Sequence, residues 1–198
     1  MILLASAISF AGTAWAVAIL PTGASVVAGT ATINQTANVL TVTNHTRSII
    51  NWTSFSVGAG GTVQFVQLNA SSAVLNRVVG NTPSQLNGPI TSNGQVFLIN
   101  PSGIIVGPGG SIQASGIFLS TASIADTDFL AGNLQFQSPP AGAPIVISGT
   151  LTATDVIDIR ASSVDSSGTA LNAQSMNIDV TGGAGTIGGG GITIGGGG

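Results

Sequence analysis

Three arginines (Arg47, Arg77 and Arg160), six aspartates and one histidine are nearly all that this 198-residue chain offers for acid–base or nucleophilic chemistry; it has no Lys, Glu, Cys or Tyr. Asp126 and Asp128 would share a face of an extended backbone, and with Asn133 they outline a Ca2+ site. Two carboxylates without a third acid hold such an ion weakly, so turn and cap roles are expected of them. Asp155 and Asp158 are three apart in an expected strand, on opposite faces, and do not form a catalytic pair. His45 stands alone between Asn44 and Thr46, which suits a surface turn better than a metal ligand. No catalytic, cofactor-binding or metal-binding residue is therefore expected, and neither is an enzyme. Three cations cannot neutralise a run of phosphates, so no nucleic-acid partner is expected, and the net charge of -3 gives no attraction to anionic lipid.

The elements that carry these residues read as short strands. The chain has 29 glycines, and Ser, Thr, Asn, Val and Ile fill much of the remainder. No helical spacing of apolar residues runs on after the N-terminus. From Gln95 to Gly110 the text alternates strand and corner. Asn100-Pro101-Ser102-Gly103 fits a type I turn position by position, with Pro second, where its fixed φ is already correct. Val96 to Ile99 and Ile104 to Val106 are apolar without alternation, as in strands covered on both sides. The same is expected of Thr62 to Leu68, which has no clean polar face. Trp52 and Phe55 are expected in the core or at its end.

Spacing adds a repeat. The strand at Gln95 and the strand at Ile117 lie about 22 residues apart, and Ile157 and Ile159 match Ile178 and Val180 at about 21. Glycine corners between short strands at this period, without helices, predict an all-β parallel β-solenoid whose coils advance about 4.8 Å each. Pro139-Pro140 marks a loop that interrupts it.

The ends differ. Met1 to Ala18 is uncharged and apolar, with Ala-x-Ala sites at Ala14 to Ala18, and is expected to be a signal peptide (residues 1–18) cleaved after Ala16 or Ala18, although its n-region has no Lys or Arg. Residues 19–181 are expected to form the solenoid domain. Residues 182–198 are a glycine-rich tail, expected to be either a flexible end or the start of a longer passenger. Sequons at Asn34, Asn44, Asn51 and Asn69 are expected to reflect composition more than glycosylation.

The segments SIINWTSFSVGAGGTVQF, ASSAVLNRVVGNTPSQLNGPITSNGQVFLINPSGI and STASIADTDFLAGNLQF, between Ser48 and Phe136, carry a resemblance. They resemble the N-terminal secretion domain of filamentous-haemagglutinin-like exoproteins of Gram-negative two-partner secretion, and LPTGASVVAGTATI at Leu20 to Ile33 resembles that family's mature start. The resemblance covers most of the chain to about Gly149.

This resemblance implies a right-handed parallel β-helix, passed through the periplasm and threaded N-terminus first through an outer-membrane barrel partner with periplasmic transport-associated domains. The product is then secreted or held at the cell surface. The family's Asn-Pro-Asn-Gly motif falls on Asn100, Pro101, Ser102 and Gly103, followed by Ile104, with Ser in place of the second Asn. Its Asn-Arg-Val segment falls on Asn76, Arg77 and Val78, while a second family motif, Asn-Pro-Asn-Leu, has no counterpart. Asn76, Arg77 and Asn100 to Ile104 are the expected transporter-recognition residues. Arg77 is expected to be an exposed charge, a contact with an acidic patch on the transporter, or a hydrogen-bonding fork on the Asn100 turn. Adhesion or haemagglutination, through a host-cell or glycan receptor, is the expected service of the exported protein. The alternatives are a polysaccharide-active enzyme on the same architecture and a structural biofilm component without a specific receptor.

Overall fold

In the computed structural model, residues 18–166, 170–180 and 192–194 are described. Most of the expected signal peptide and of the glycine-rich tail lies outside them.

Glycine, Asn and Ser corners cut the chain into short strands: β1 (Ser25–Ala28), β2 (Ala31–Gln35), β3 (Val39–Asn44), β4 (Arg47–Trp52), β5 (Thr62–Gln67), β6 (Ala73–Val78), β7 (Ser84–Leu86), β8 (Pro89–Ser92), β9 (Gln95–Ile99), β10 (Ile104–Val106) and β11 (Ser111–Ser120). A short helix, α1 (Asp126–Ala131), follows, and then β12 (Pro144–Ile147), β13 (Thr150–Ala161), β14 (Ser163–Asp165), β15 (Ala170–Ala173), β16 (Ser175–Val180) and β17 (Ile192–Ile194).

These strands stack in three parallel columns, which make a right-handed parallel β-helix. The first face runs β4, β6, β9, the second half of β11, the second half of β13, and β16. On the second face are β3, β5, β8, the first halves of β11 and β13, then β15 and β17. The third is β7, β10, β12 and β14. Antiparallel β1 on β4 and β2 on β3 close the N-terminal end. At the other end β17 pairs with β15, so the ladder continues into the glycine-rich segment.

The predicted period holds with one shift of register. Val96 pairs with Ile117. Ile157, however, pairs with Met176 and Ile159 with Ile178, two positions from the expected match. A shift of two keeps the same side chains pointing inward, so the sequence pattern does not distinguish the two registers.

Inward-facing Val63, Phe65, Val74, Val96, Leu98, Ile104, Ile117 and Ile145 stack coil on coil in one continuous core. A second core lies outside the first face. Between β11 and β12 the chain leaves the coil, and residues 121–143, including α1 and Pro139-Pro140, fold back over that face. They cover Ile49, Leu75, Phe97, Ile99 and Phe118 with Ile124 and Phe129. Phe97 stacks on Phe118 with centroids 3.8 Å apart, and Phe129 meets Phe97 edge-on at 5.2 Å. This is why Val96 to Ile99 show no alternation: both sides of β9 are covered.

β5 behaves differently. It lies between β3 and β8 in the sheet, but Val63, Phe65 and Gln67 point in while Gln64 and Val66 face solvent, so the expected double coverage does not occur. Among the described residues nothing overlies the second face as the excursion overlies the first.

All three arginines touch the excursion. The Arg47 guanidinium donates to the Phe129 carbonyl at 2.9 Å and lies 5.2 Å over its ring. Arg77 donates to the Ile124 carbonyl at 2.9 Å and to Asp126 at 2.6 Å. Arg160 lies 4.8 Å over Phe136 while forking onto Asp158 at 2.7 and 2.9 Å. The hydrogen bond that Arg160 donates to Asp158, with help from the charges of Asp158 and Asp179, raises the Arg160 pKa against the opposing effect of burial. Asp126 and Asp128 therefore sit in the first turn of α1, not on an extended face, where carboxylates complement the helix dipole.

Candidate functional site

The corner at Asn100 is built from the inside. Asn100 is fully buried, and its Nδ2 donates to the Thr82 carbonyl and the Ser84 hydroxyl, both at 3.0 Å, in the preceding coil. Its Oδ1 accepts from the Ser102 N–H at 2.9 Å, and the Gly103 N–H closes the turn onto the Asn100 carbonyl at 3.0 Å. The Asn100 N–H reaches forward to the Ser120 carbonyl at 3.0 Å. One asparagine thus joins three successive coils at the corner.

Gly103 completes it. At φ +112° it occupies backbone space that side-chain-bearing residues avoid, and a Cβ there would stand 3.0 Å from the Pro144 carbonyl oxygen. Its own carbonyl accepts from the Ser84 N–H at 3.0 Å. Ile104 is buried, Ser102 half-buried and Pro101 exposed. Of the five residues, Pro101 and Ser102 are what the corner shows outward.

Asn76 lies within the coil on β6. Its Oδ1 accepts from Trp52 Nε1 at 3.0 Å and its Nδ2 donates to the Phe97 carbonyl at 3.1 Å, so its amide is consumed internally. Arg77 points to the other side and holds the excursion, with no hydrogen bond to the Asn100 turn; the expected fork there is not formed. The sheet places Arg77 beside Ile99, one residue before Asn100, so the two expected motifs are neighbours on adjacent coils while their side chains serve different cores.

The residue reading missed a polar spine at the corner between the second and first faces. Buried Gln67 donates to Ser92 Oγ and the Gln95 carbonyl, both at 2.9 Å, and accepts from Asn44 at 3.2 Å. The Asn93 side chain exchanges two hydrogen bonds with the Gln67 backbone, at 2.7 and 2.8 Å, in place of a strand residue. Asn44 and Gln67 at the ends of β3 and β5, with Asn93 just after β8, were the available signal. Trp52 and Phe55 are in the core, edge to face at 5.5 Å, and His45 is exposed, as expected. Among the described residues no three His, Cys, Asp or Glu side chains gather as metal ligands, and no helix is long and apolar enough to cross a membrane.

The chain is similar to known proteins in sequence and in fold. The TPS secretion domain family matches residues 17–197. Two heme/hemopexin-binding proteins of Haemophilus influenzae are similar: one is 40% identical over 106 residues, 53% of this chain and 12% of that protein. The other is 34% identical over 110 residues, 54% of this chain and 12% of that protein. The matched stretch is thus a small part of these relatives' length. The crystal structure of the HMW1 secretion domain from Haemophilus influenzae aligns with a TM-score of 0.66 at 36% identity, covering 77% of this chain and 44% of that one. With the family match spanning nearly the whole sequence, the chain belongs to the TPS secretion domain family, the domain that commits an exoprotein to two-partner secretion.

Proposed function

We propose that the chain is the secretion module of a longer Gram-negative exoprotein, passed in the periplasm to the transport-associated domains of an outer-membrane barrel and exported N-terminus first. Family membership over residues 17–197 carries this reading. The physical design agrees with it. A chain without cysteines forms no disulfide that would block passage unfolded, and a solenoid adds one coil at a time as chain emerges, so folding outside opposes return.

Within this reading Asn100 shapes the recognition corner, Asn76 braces the rungs of the first face beside it, and Pro101 and Ser102 present the corner. The module carries no catalysis: each arginine is engaged with the excursion, and a lyase needs a free base beside clustered acids. The exported protein serves adhesion at the cell surface. Heme binding is not proposed for this module, because one exposed His45 and no Cys or Tyr give it little with which to ligate iron.

The test is export of the chain co-expressed with its cognate barrel protein. Release of the wild-type chain only when the barrel is present supports the reading, and release without it overturns the reading. Unimpaired export of Asn100→Ala with Pro101→Ala overturns the corner assignment alone.

A further inference from the structure

On the second face the register aligns Thr41, Gln64, Thr91, Gln113, Thr152 and Asn172 in one outward column, one residue from each of six successive parallel strands. At about 4.8 Å per rung the column is roughly 24 Å long. Every member is uncharged and carries a hydroxyl or amide. All six are exposed or half-buried, and none of the six side chains hydrogen-bonds another group among the described residues. Elsewhere in the coil the amides of Asn44, Gln67, Asn76, Asn93 and Asn100 are engaged with neighbouring coils. The column is therefore a set of free donors and acceptors at fixed spacing.

Two open grooves, about 330 and 240 Å3, run beside the column and share Gln113. Val66 lines the first and exposed Ala70 the second, so each sets an apolar surface beside polar side chains. The arginines and the aspartates paired with them belong to the first face and its excursion, so the column itself carries no formal charge, and the exposed charge on its own strands is the negative Asp155 at the far end of that stretch of β13.

We infer that this face binds a neutral polysaccharide laid along the solenoid axis. An uncharged surface has no attraction for a polyanion, whereas hydroxyls and amides repeated at each rung meet the repeated hydroxyls of an extended sugar chain. Val66 and Ala70 receive the C–H side of its rings. A protein partner, including a second copy of this chain, is disfavoured because the column has none of the aromatic or Arg anchors that form the core of such interfaces. The inference concerns the folded module and does not rest on the export reading.

The purified chain is tested for retention on insoluble cellulose and chitin and in galactomannan affinity gels, with immobilised heparin as the polyanion. Gln64→Glu combined with Gln113→Glu places two charges in the column, and Gln85→Glu, exposed on β7 of the third face, is the control. The expected result is retention by at least one neutral polymer, weakened tenfold or more by the double substitution and unchanged by the control, with equal melting temperatures. Retention by heparin alone, by no polymer, or equally by the double variant overturns the inference. So does a dimer in light scattering that the double substitution dissociates. Loss of barrel-dependent export in the wild-type chain would remove the secretion reading and leave this one standing.

Discussion

The Trp52 indole donates a 3.0 Å hydrogen bond to the Asn76 side chain, and the Asn76 amide donates onward to the Phe97 carbonyl at 3.1 Å. One buried amide thereby connects β4, β6 and β9, three consecutive rungs of the first face. Asn76→Ala strands a buried indole N–H and a buried carbonyl, and an unsatisfied buried group costs about 1 to 3 kcal/mol. The expected outcome is a lower urea midpoint with unchanged slope. Trp52→Phe removes the donor from the other side, so the double variant should lose less than the sum of the singles. Additive losses would mean that the two side chains are not coupled.

The Asn100 corner separates shape from display. Asn100→Ala loses its bonds to Thr82, Ser84 and Ser102 together and should lower the thermal midpoint measurably, by an amount on the order of 2 to 3 kcal/mol in stability. Pro101 is exposed and Ser102 half-buried, so Pro101→Ala and Ser102→Asn should each change stability by under about 0.5 kcal/mol. An export defect in Pro101→Ala with an unchanged melting curve would identify recognition. If export tracks stability across all three variants, the corner acts only through the fold.

What the sequence disclosed depended on how local its cause was. The Asn100 turn was legible because Pro and Gly report backbone conformation directly, and the coil period because each rung repeats the same inward pattern. Val96 to Ile99 announced cover on both sides. The identity of the cover was hidden, because Phe129 and Ile124 reach β9 from an excursion whose short helix carries no long amphipathic pattern. β5 was misread because an exposed Val66 looks in sequence like a buried one. The partners of Arg77 lie 47 and 49 residues ahead of it, a distance at which spacing carries no information.

Arg77 makes two different bonds to the excursion, one to a carbonyl and one to a carboxylate. The Asp126 side chain is 49% exposed, so screening limits that ion pair to about 0 to 1 kcal/mol. The Ile124 carbonyl bond survives Asp126→Asn but not Arg77→Met. Arg77→Met should therefore be the more destabilising of the two by denaturant titration, and 1 M NaCl should narrow the gap between wild type and Asp126→Asn. Equal losses would place the whole effect in the ion pair.

The excursion follows in sequence most of the rungs it covers; β13, which meets it through Val156 and Arg160, comes after it. During N-to-C emergence β4, β6, β9 and β11 are available to stack before residues 121–143 arrive, with Ile49, Leu75, Phe97 and Phe118 still open to water. Closure then rests on Phe129, fully buried against Phe97 and held through its own carbonyl and ring by Arg47. Phe129→Ala should cost about 3 to 5 kcal/mol locally, because the removed ring leaves a cavity over the Phe97–Phe118 stack. The backbone ladder beneath does not pass through this segment, so the strand signal in circular dichroism should persist. Local opening should appear as increased binding of a hydrophobic dye and as first cleavage within 121–143 in limited proteolysis mapped by mass, at least tenfold faster than in wild type. If the ladder and the excursion are instead lost together, at one denaturant concentration and with no early cut, the excursion is part of the solenoid's cooperative unit and does not close over a finished coil.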